Sequence, residues 1–324
     1  MSKLRLLILV FLIFLLSGCS QRPKLLILNW GEYTNEEAVE LFEKEYGIDV
    51  IINIGDSNEM FYSKVLSGTT VYDLVIPSEY MVEKMISKEL LQKFDFSKLS
   101  NYDSENNPFL PGVKGIIDSM SPGFRDYVVP YFWGTFGLMY NKQKAGLEEA
   151  ILEHGWDAYF NPSLLPSGTR VGMYDVPRFA YAAAMFSRGM SPNLETDEAL
   201  GIAQTVLNGV KFTEWGTDTL KKGIAANNLD VAFVYTGDFL DMLYIKLESN
   251  TLDQITFDIY IPENTIAFMD SFVIPKKARH VESAHKFVDF FLRPEIAYLN
   301  ASVVGYCTPL VASYEMITSY EGDD

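Results

Sequence analysis

Residues 25–54, LLILNWGEYTNEEAVELFEKEYGIDVIINI, indicate the fold class, because two strand-like segments flank an amphipathic segment. Residues 25–28 form a continuous apolar run, as expected of a strand covered on both faces. Thr34 and Glu37 stand at the spacing of a helix capping box, and Gly47 stands where a helix ends in a left-handed residue. Residues 48–54 then alternate apolar and polar. The stretch therefore predicts one βαβ unit.

The alternation of strand and helix patterns continues along the chain. Further strand patterns occur at 72–76, 137–140, 169–174, 230–235 and 271–274. Helix patterns between and around them occur at 61–66, 80–91, 178–188, 195–208 and 281–292. A turn-rich stretch at 101–129 separates two α/β regions, and the last strand and helix patterns are like those of the first region. We therefore predict an α/β protein with two lobes, joined by more than one chain crossing.

The first 18 residues have the pattern of a secretory signal peptide. Lys3 and Arg5 precede an unbroken apolar run at 6–16, which is too short to span a bilayer as a helix. Leu16-Ser17-Gly18-Cys19 then has the form of a lipobox, which predicts that Cys19 is lipidated and that 19–24 form a lipidated linker. The alternative is an ordinary signal peptide with an incidental cysteine. We expect a periplasmic or cell-surface protein, anchored to the membrane through Cys19.

Composition limits the partners. The formal net charge is −17, and such a surface repels nucleic acid and anionic lipid. The chain has 2 cysteines, one of them in the lipobox, so no disulfide framework is expected and Cys307 is predicted to be a small buried thiol. Hydrophobic residues make up 48% of the chain, which is ample for two cores.

Aromatic and acidic side chains gather near predicted strand ends, the edge at which open α/β sheets bind ligands. Four segments contribute them, at 29–33, 77–80, 235–238 and 268–270. A ring face attracts an ammonium group, and a buried ammonium group needs a carboxylate partner. Aromatic walls also bury methylene chains. The combination favours a linear polyamine, which alternates charge and hydrocarbon.

Other ligands and activities stay open at this point. Stacking aromatics also suit a sugar or another organic amine, and a surface receptor could use the same site without any importer. Enzyme classes are disfavoured, because the sequence has no Gly-x-Ser-x-Gly, no Walker loop and no Gly-x-Gly-x-x-Gly. A glycosidase built on Glu32 and Asp270 is the enzymatic alternative, since such enzymes need only two carboxylates. We expect no cofactor and no metal.

The chain resembles the spermidine/putrescine-binding proteins of bacterial polyamine ABC importers over about residues 25–309. The resemblance is carried by NWGEY (29–33), GDSNEMFYSKV (55–65), YDLVIPSEYMVEKM (72–85), PYFWGTFGLMYN (130–141), FMDSFVIP (268–275) and VDFFLRPEIAYLNASVVGYCTP (288–309). It implies a two-lobed periplasmic-binding-protein fold of the type II kind, each lobe a sheet flanked by helices, with the ligand cleft between the lobes. It also implies a monomeric carrier that delivers putrescine or spermidine to importer membrane subunits.

The resemblance implies lobe boundaries and ligand contacts. We expect 25–135 and 269–314 to form lobe 1, and 136–268 and 315–324 to form lobe 2. The family's ligand contacts fall on aromatic, acidic and hydroxyl-bearing positions and one glycine: Trp30, Gly31, Glu32, Tyr33, Ser78, Tyr80, Tyr235, Phe268, Asp270 and Tyr306. Gly31 stands where the family often has Thr, and Tyr235 and Phe268 stand where Trp is usual.

The largest departure from the family lies in the segment 174–179. Val176 and Phe179 occupy positions where relatives place two carboxylates that bind one terminal amine. Asp175 and Asp238 are candidate replacements, although Asp175 could instead brace Arg178 and Asp238 could instead be a solvated acid or a helix N-cap. Loss of the acidic pair predicts a preference for the diamine putrescine over the triamine spermidine.

Overall fold

The structure is a computed structural model that describes residues 22–319. The predicted signal peptide at 1–18, the predicted lipidation site Cys19 and residues 320–324 lie outside the described residues. Within 22–319, no helix has both the length and the apolar character needed to cross a membrane.

The N-terminal elements build the first α/β region. They are β1 (Lys24–Asn29), α1 (Glu36–Tyr46), β2 (Asp49–Ile54), α2 (Asn58–Ser67), β3 (Leu74–Val75), α3 (Glu79–Ser87), β4 (Leu91–Gln92) and α4 (Pro111–Ser119). The first three strands are parallel, in the order β2-β1-β3, and Ile27 of β1 lies beside Ile52 and Leu74. This confirms the βαβ unit predicted for residues 25–54.

The middle of the chain builds the second region. Its elements are β5 (Val129–Asn141), α5 (Leu147–His154), α6 (Trp156–Phe160), β6 (Val171–Tyr174), α7 (Pro177–Phe186), α8 (Asp197–Asn208), β7 (Glu214–Gly216), α9 (Asp218–Ala225), β8 (Val231–Tyr235), α10 (Thr236–Glu248), β9 (Phe257–Tyr260) and β10 (Ala267–Phe272). The sheet order is β10-β5-β8-β6-β7, with β9 paired to β5. β6 is parallel to its neighbours, whereas β5 is antiparallel to β8 and β10.

The C-terminal elements return to the first region. They are β11 (Ile274–Pro275), α11 (Val281–Phe291), α12 (Pro294–Val304) and α13 (Val311–Thr318). β11 pairs with β4, and Val273 forms an antiparallel bridge with Val75 of β3. β4 and β11 thus form a separate two-stranded sheet, and the bridge at Val273 joins the returning chain to the β3 edge of the first sheet.

Two separate hydrophobic cores divide the molecule. One core contains buried residues between Leu25 and Phe132 and between Met269 and Leu310, and the other contains buried residues between Phe136 and Phe268. β5 and β10 run side by side from one core into the other, from the pair Val129–Phe272 to the pair Thr135–Ala267. These cores support our proposal that 25–135 and 269–314 form lobe 1 and that 136–268 belong to lobe 2.

The C-terminal helix lies with lobe 1. Ser313 Oγ donates a hydrogen bond to the carbonyl of Pro294 (2.9 Å), and Ile317 packs against the lobe 1 core. The sequence analysis assigned 315–324 to lobe 2, and for residues 315–319 the structure differs. The reason is that α13 is one continuous helix, which keeps these residues next to Ser313.

Helix α1 begins one residue later than the capping-box pattern predicts. The N-cap is Asn35, whose Oδ1 accepts hydrogen bonds from the backbone N–H groups of Glu37 (2.7 Å) and Ala38 (3.3 Å). Its Nδ2 donates to the carbonyl of Leu299 (2.9 Å). Thr34 Oγ1 instead accepts from the side chain of Asn29 (2.7 Å). Asn35 therefore fixes the start of α1 to α12, and with it the loop at 30–34.

We expect Asn35→Ala to lower the free energy of unfolding by about 1–3 kcal/mol, because the variant loses a helix cap and a buried hydrogen bond. Denaturant titration of the purified protein measures this change. Glu37→Gln is the matched control, since Glu37 is exposed, and its effect should stay within about 0.5 kcal/mol. If Glu37→Gln lowered the free energy of unfolding more than Asn35→Ala, the result would support a capping box with Thr34 as the N-cap.

Candidate functional site

Asp270 is the centre of the candidate site. Its side chain is buried, with 6% exposed, and lies on β10 where the register against β5 shifts. Tyr33 donates its hydroxyl hydrogen to Asp270 Oδ2 (2.7 Å), and Ser78 donates to Oδ1 (2.6 Å). A register shift in a strand changes the direction in which the neighbouring side chains point. Three of the four segments that the sequence predicted to converge therefore meet at this carboxylate.

Burial raises the pKa of Asp270 to about 7, because the carboxylate loses contact with water. The hydrogen bonds from Ser78 and Tyr33 act in the opposite direction, and nearby Glu79 adds to the increase. The group is therefore poised to ionise near neutral pH. A cation placed beside it would favour the ionised form.

Glu79 is a second acid at this place, and the sequence analysis did not single it out. Its Oε2 accepts a hydrogen bond from the backbone N–H of Met269 (2.9 Å), which ties α3 to β10. Burial raises the pKa of Glu79 as well. The sequence offers one signal for Glu79, which stands between Ser78 and Tyr80, two of the predicted ligand contacts.

A row of rings leads from Asp270 into lobe 2. The centroids of Tyr33 and Tyr306 lie 5.1 Å apart, those of Tyr306 and Phe268 6.1 Å, and those of Phe268 and Tyr235 5.0 Å. All three pairs meet edge to face, the favourable geometry for aromatic pairs. Burial raises the pKa values of Tyr33, Tyr235 and Tyr306 well above the ordinary value, so the hydroxyls stay neutral.

Gly237 permits the close contact between the lobes. A Cβ atom at this position would lie 2.7 Å from the ring of Tyr306, so only glycine fits. Gly237 belongs to lobe 2 and Tyr306 to lobe 1. The ring of Tyr306 therefore rests directly on the backbone of α10.

The loop at 30–33 divides its side chains between core and surface. Trp30 is half-buried, donates Nε1–H to the carbonyl of Ile76 (2.8 Å) and packs 4.5 Å from Phe61. Gly31 and Glu32 are exposed, and Glu32 has a left-handed backbone with φ 52°. Trp30 is thus anchored in lobe 1, whereas the Glu32 carboxylate faces water.

Hydrophobic packing, rather than charge, occupies the segment 174–179. Phe179 lies 4.8 Å from Phe136 and 5.9 Å from Tyr235, and Val176 packs against the lobe 2 core. Asp175 is exposed, and its backbone N–H donates to the carbonyl of Gly216 (2.8 Å). The described contacts of Asp175 are to this neighbouring strand and not to the row of rings.

Asp238 has a helix-capping role as the third residue of α10, whose N-cap is Tyr235, and it is a buried acid and not a solvated one. Its side chain is 4% exposed, and Oδ2 accepts from the backbone N–H of Tyr235 (3.2 Å). Oδ1 accepts from Lys221 Nζ (3.0 Å), which also pairs with Asp241 (2.9 Å). Lys221 therefore already neutralises this carboxylate. A ligand amine would have to share it.

Tyr80 and Arg178 meet across the lobes. The guanidinium carbon of Arg178 lies 4.6 Å from the centroid of the Tyr80 ring. Burial raises the pKa of Tyr80 to about 12. The sequence analysis named Arg178 only as a residue that Asp175 could brace, because the contact with Tyr80 depends on how two distant helices face each other.

The remaining chemistry of the site is limited. Within residues 22–319, no group of three or more His, Cys, Asp or Glu side chains is placed to hold a metal ion. Cys307 is half-buried, and burial raises the pKa of its thiol to about 11, which keeps it a weak nucleophile.

Residues 28–298 match the family model described as bacterial extracellular solute-binding protein. The match covers most of the chain. The chain belongs to this family. Membership confirms the class of protein predicted from the sequence, and it places the chain in a family of solute-binding proteins.

Three relatives of this solute-binding protein are informative. SpuD, the putrescine-binding periplasmic protein of Pseudomonas aeruginosa, is 31% identical, with 88% of this chain and 80% of SpuD covered. The solved substrate-binding protein PotD of the Streptococcus pneumoniae spermidine/putrescine ABC transporter is 29% identical, with a TM-score of 0.73 and coverage of 91% and 85%. The TpPotD lipoprotein of Treponema pallidum is 27% identical, with a TM-score of 0.75 and coverage of 90% and 88%. These likenesses confirm the predicted resemblance and the two-lobed α/β fold.

The ionisation of Asp270 should make the stability of this solute-binding protein depend on pH. The folded-state pKa is about 7, above the ordinary value of an unfolded aspartate, so the folded state holds this proton more tightly. The stability contribution is therefore fully present below about pH 4 and is lost as pH rises to about 7. We expect Asp270→Asn to gain about 2–4 kcal/mol relative to the parent between pH 4 and pH 8.

Denaturant titration at several pH values, without ligand, measures this gain. Asp157→Asn, at an exposed position in lobe 2, is the control and should follow the parent. Parallel curves for the parent and Asp270→Asn would show that the carboxyl of Asp270 ionises normally.

Proposed function

We propose that this protein captures a polyamine, putrescine or spermidine, between its lobes and delivers it to the membrane subunits of an ABC importer. The observation that carries the proposal is the buried carboxylate of Asp270, which stands at the beginning of the row of rings that leads into lobe 2. The names of SpuD and of the pneumococcal PotD point to the same ligands.

The carboxylate of Asp270 explains why a cation is the favoured ligand. A buried carboxylate is costly unless it is paired, and an ammonium group supplies both charge and hydrogen-bond donors. Tyr33 and Ser78 already donate to its oxygens, so the carboxylate is held in one orientation. A neutral sugar would add no positive charge beside Asp270, whereas an ammonium group would stabilise its ionised form, and this favours the amine over the sugar.

The rings supply the second half of the proposed recognition. Tyr306, Phe268 and Tyr235 offer apolar surface for the methylene chain and ring faces for a second ammonium group. We include Trp30 and Tyr80 as further lobe 1 contacts, because Trp30 is held in the loop that carries Tyr33 and Tyr80 follows Ser78 by two residues. The proposed contact set keeps all the residues predicted from the sequence, with Glu32, Gly31 and Asp175 at the exposed edge and Asp238 shared with Lys221.

Calorimetry with putrescine, spermidine, maltose and glycine betaine tests the proposal. We expect a polyamine to bind with micromolar affinity, about −8 kcal/mol, because one buried ion pair and several ring contacts suffice for it. Asp270→Asn should lose about 2–5 kcal/mol of binding free energy, since the bound ammonium group would be left without its charged partner.

Proton release provides an independent readout of the same carboxylate. Because the bound cation favours ionised Asp270, binding near pH 7 should release protons, and the observed heat should vary with the ionisation enthalpy of the buffer. Asp270→Asn should abolish this release, whereas Asp157→Asn should retain it. Tight maltose binding without any heat from amines would refute the polyamine carrier.

The location of the protein follows from its family and from its N-terminal sequence. The family is extracellular, and we propose that 1–18 are removed and that lipid on Cys19 holds a monomeric carrier at the membrane. The solved Treponema relative is itself described as a lipoprotein. We expect Cys19→Ser to move the protein from the membrane fraction to the soluble fraction, as seen by fractionation of expressing cells. A membrane-bound Cys19→Ser protein would contradict the anchor.

A further inference from the structure

Arg178 is a positive charge that reaches from lobe 2 to a proposed ligand-binding ring of lobe 1. It lies in the first turn of α7 and is exposed, whereas Tyr80 lies in the first turn of α3 and is half-buried. The guanidinium stands 4.6 Å from the ring centroid. A ring face at this distance binds a cation, so the face of Tyr80 already holds one from the protein itself.

The place where Arg178 sits continues the polar cluster around Asp270. Tyr80 comes two residues after Ser78, whose hydroxyl donates to Asp270 Oδ1. Between them stands Glu79, whose carboxylate is fixed by the backbone N–H of Met269. Glu79 precedes Tyr80 in the chain, and the positive charge of Arg178 acts to lower the pKa of the Glu79 carboxyl, against the larger effect of burial. This corner combines a ring face with an acid, the combination that suits an ammonium group.

Two features of the lobe 2 side limit the negative charge that is available to another ammonium group. Val176 and Phe179 pack against the lobe 2 core, and the buried carboxylate of Asp238 is paired with Lys221. A triamine that is bound at Asp270 and places a further ammonium group on the Tyr80 face would bring that group to the guanidinium of Arg178. Like charges in such proximity repel.

We propose that Arg178 determines ligand length, because its guanidinium occupies the Tyr80 face as an internal cation and so restricts the site to diamines. The inference rests on the proposed function and adds a residue that acts by competition with the ligand. An exposed cation on a ring is replaceable, so removal of Arg178 should open the corner formed by Glu79 and Tyr80 to a ligand ammonium group.

A purely mechanical role for Arg178 predicts a different result. If Arg178 only held the lobes together, its removal would weaken all ligands by the same factor. If it competes with the third ammonium group, its removal should strengthen spermidine binding specifically. The ratio of the two dissociation constants separates these roles.

The experiment measures dissociation constants for putrescine and spermidine with the full chain and three variants. We expect the parent to prefer putrescine at least tenfold and Arg178→Gln to reduce that preference at least tenfold, through tighter spermidine binding. Arg178→Lys keeps a cation near the ring and should retain the preference. Arg188→Gln, at an exposed arginine just after the same helix, is the matched control and should behave as the parent.

Several outcomes overturn the inference, and they are distinguishable. An unchanged ratio in Arg178→Gln, an equal weakening of both ligands, or a tenfold parental preference for spermidine each rejects the role of Arg178 while leaving the polyamine carrier intact. Failure of the parent to bind either polyamine rejects the proposed function itself, and the inference with it.

Discussion

The hydrogen bonds that Tyr33 and Ser78 donate to the buried carboxylate of Asp270 join three distant parts of the chain. Tyr33 follows the first strand, Ser78 follows the third, and Asp270 lies on the strand that returns from lobe 2. Burial of this carboxylate is costly and raises its pKa, so the surrounding structure must supply these donors. Three features bring these donors to Asp270. They are the N-cap at Asn35, the bridge between Ser78 and Asp270, and the register shift in β10.

A second constraint is the contact between lobes that have separate cores. Tyr306 from lobe 1 rests on Gly237 of lobe 2, and Arg178 from lobe 2 lies over Tyr80 of lobe 1. These contacts are few and aromatic, and they lie at the site itself. Each lobe is therefore stabilised by its own core, and the contacts between the lobes are available for ligand recognition.

The parts of the structure that the sequence predicted are those encoded locally. The apolar run at 25–28 and the helical pattern after it were sufficient to predict the βαβ unit. The repeated alternation of strand and helix patterns was sufficient to predict two lobes. The capping of α1 was misplaced by one residue, because Asn29 and Tyr131 bind the hydroxyl of Thr34 through tertiary contacts that no local pattern records. Residues 315–319 were assigned to lobe 2 because their packing against lobe 1 depends on one apolar residue, Ile317, in a short helix. The pairing of Lys221 with Asp238 could not be predicted, since it joins residues 17 positions apart in different helices.

The two strands that cross between the lobes determine how the lobes could move. β5 and β10 remain hydrogen-bonded to each other through the junction, from Val129 and Phe272 to Thr135 and Ala267. Sliding one strand along the other would break this ladder and turn Asp270 to the opposite face of the sheet. Torsion of the two-stranded ribbon keeps every bond, because paired strands already twist and tolerate a range of twist angles. The junction therefore permits the lobes to rotate relative to each other by twisting the ribbon, and it resists translation of one lobe along the other.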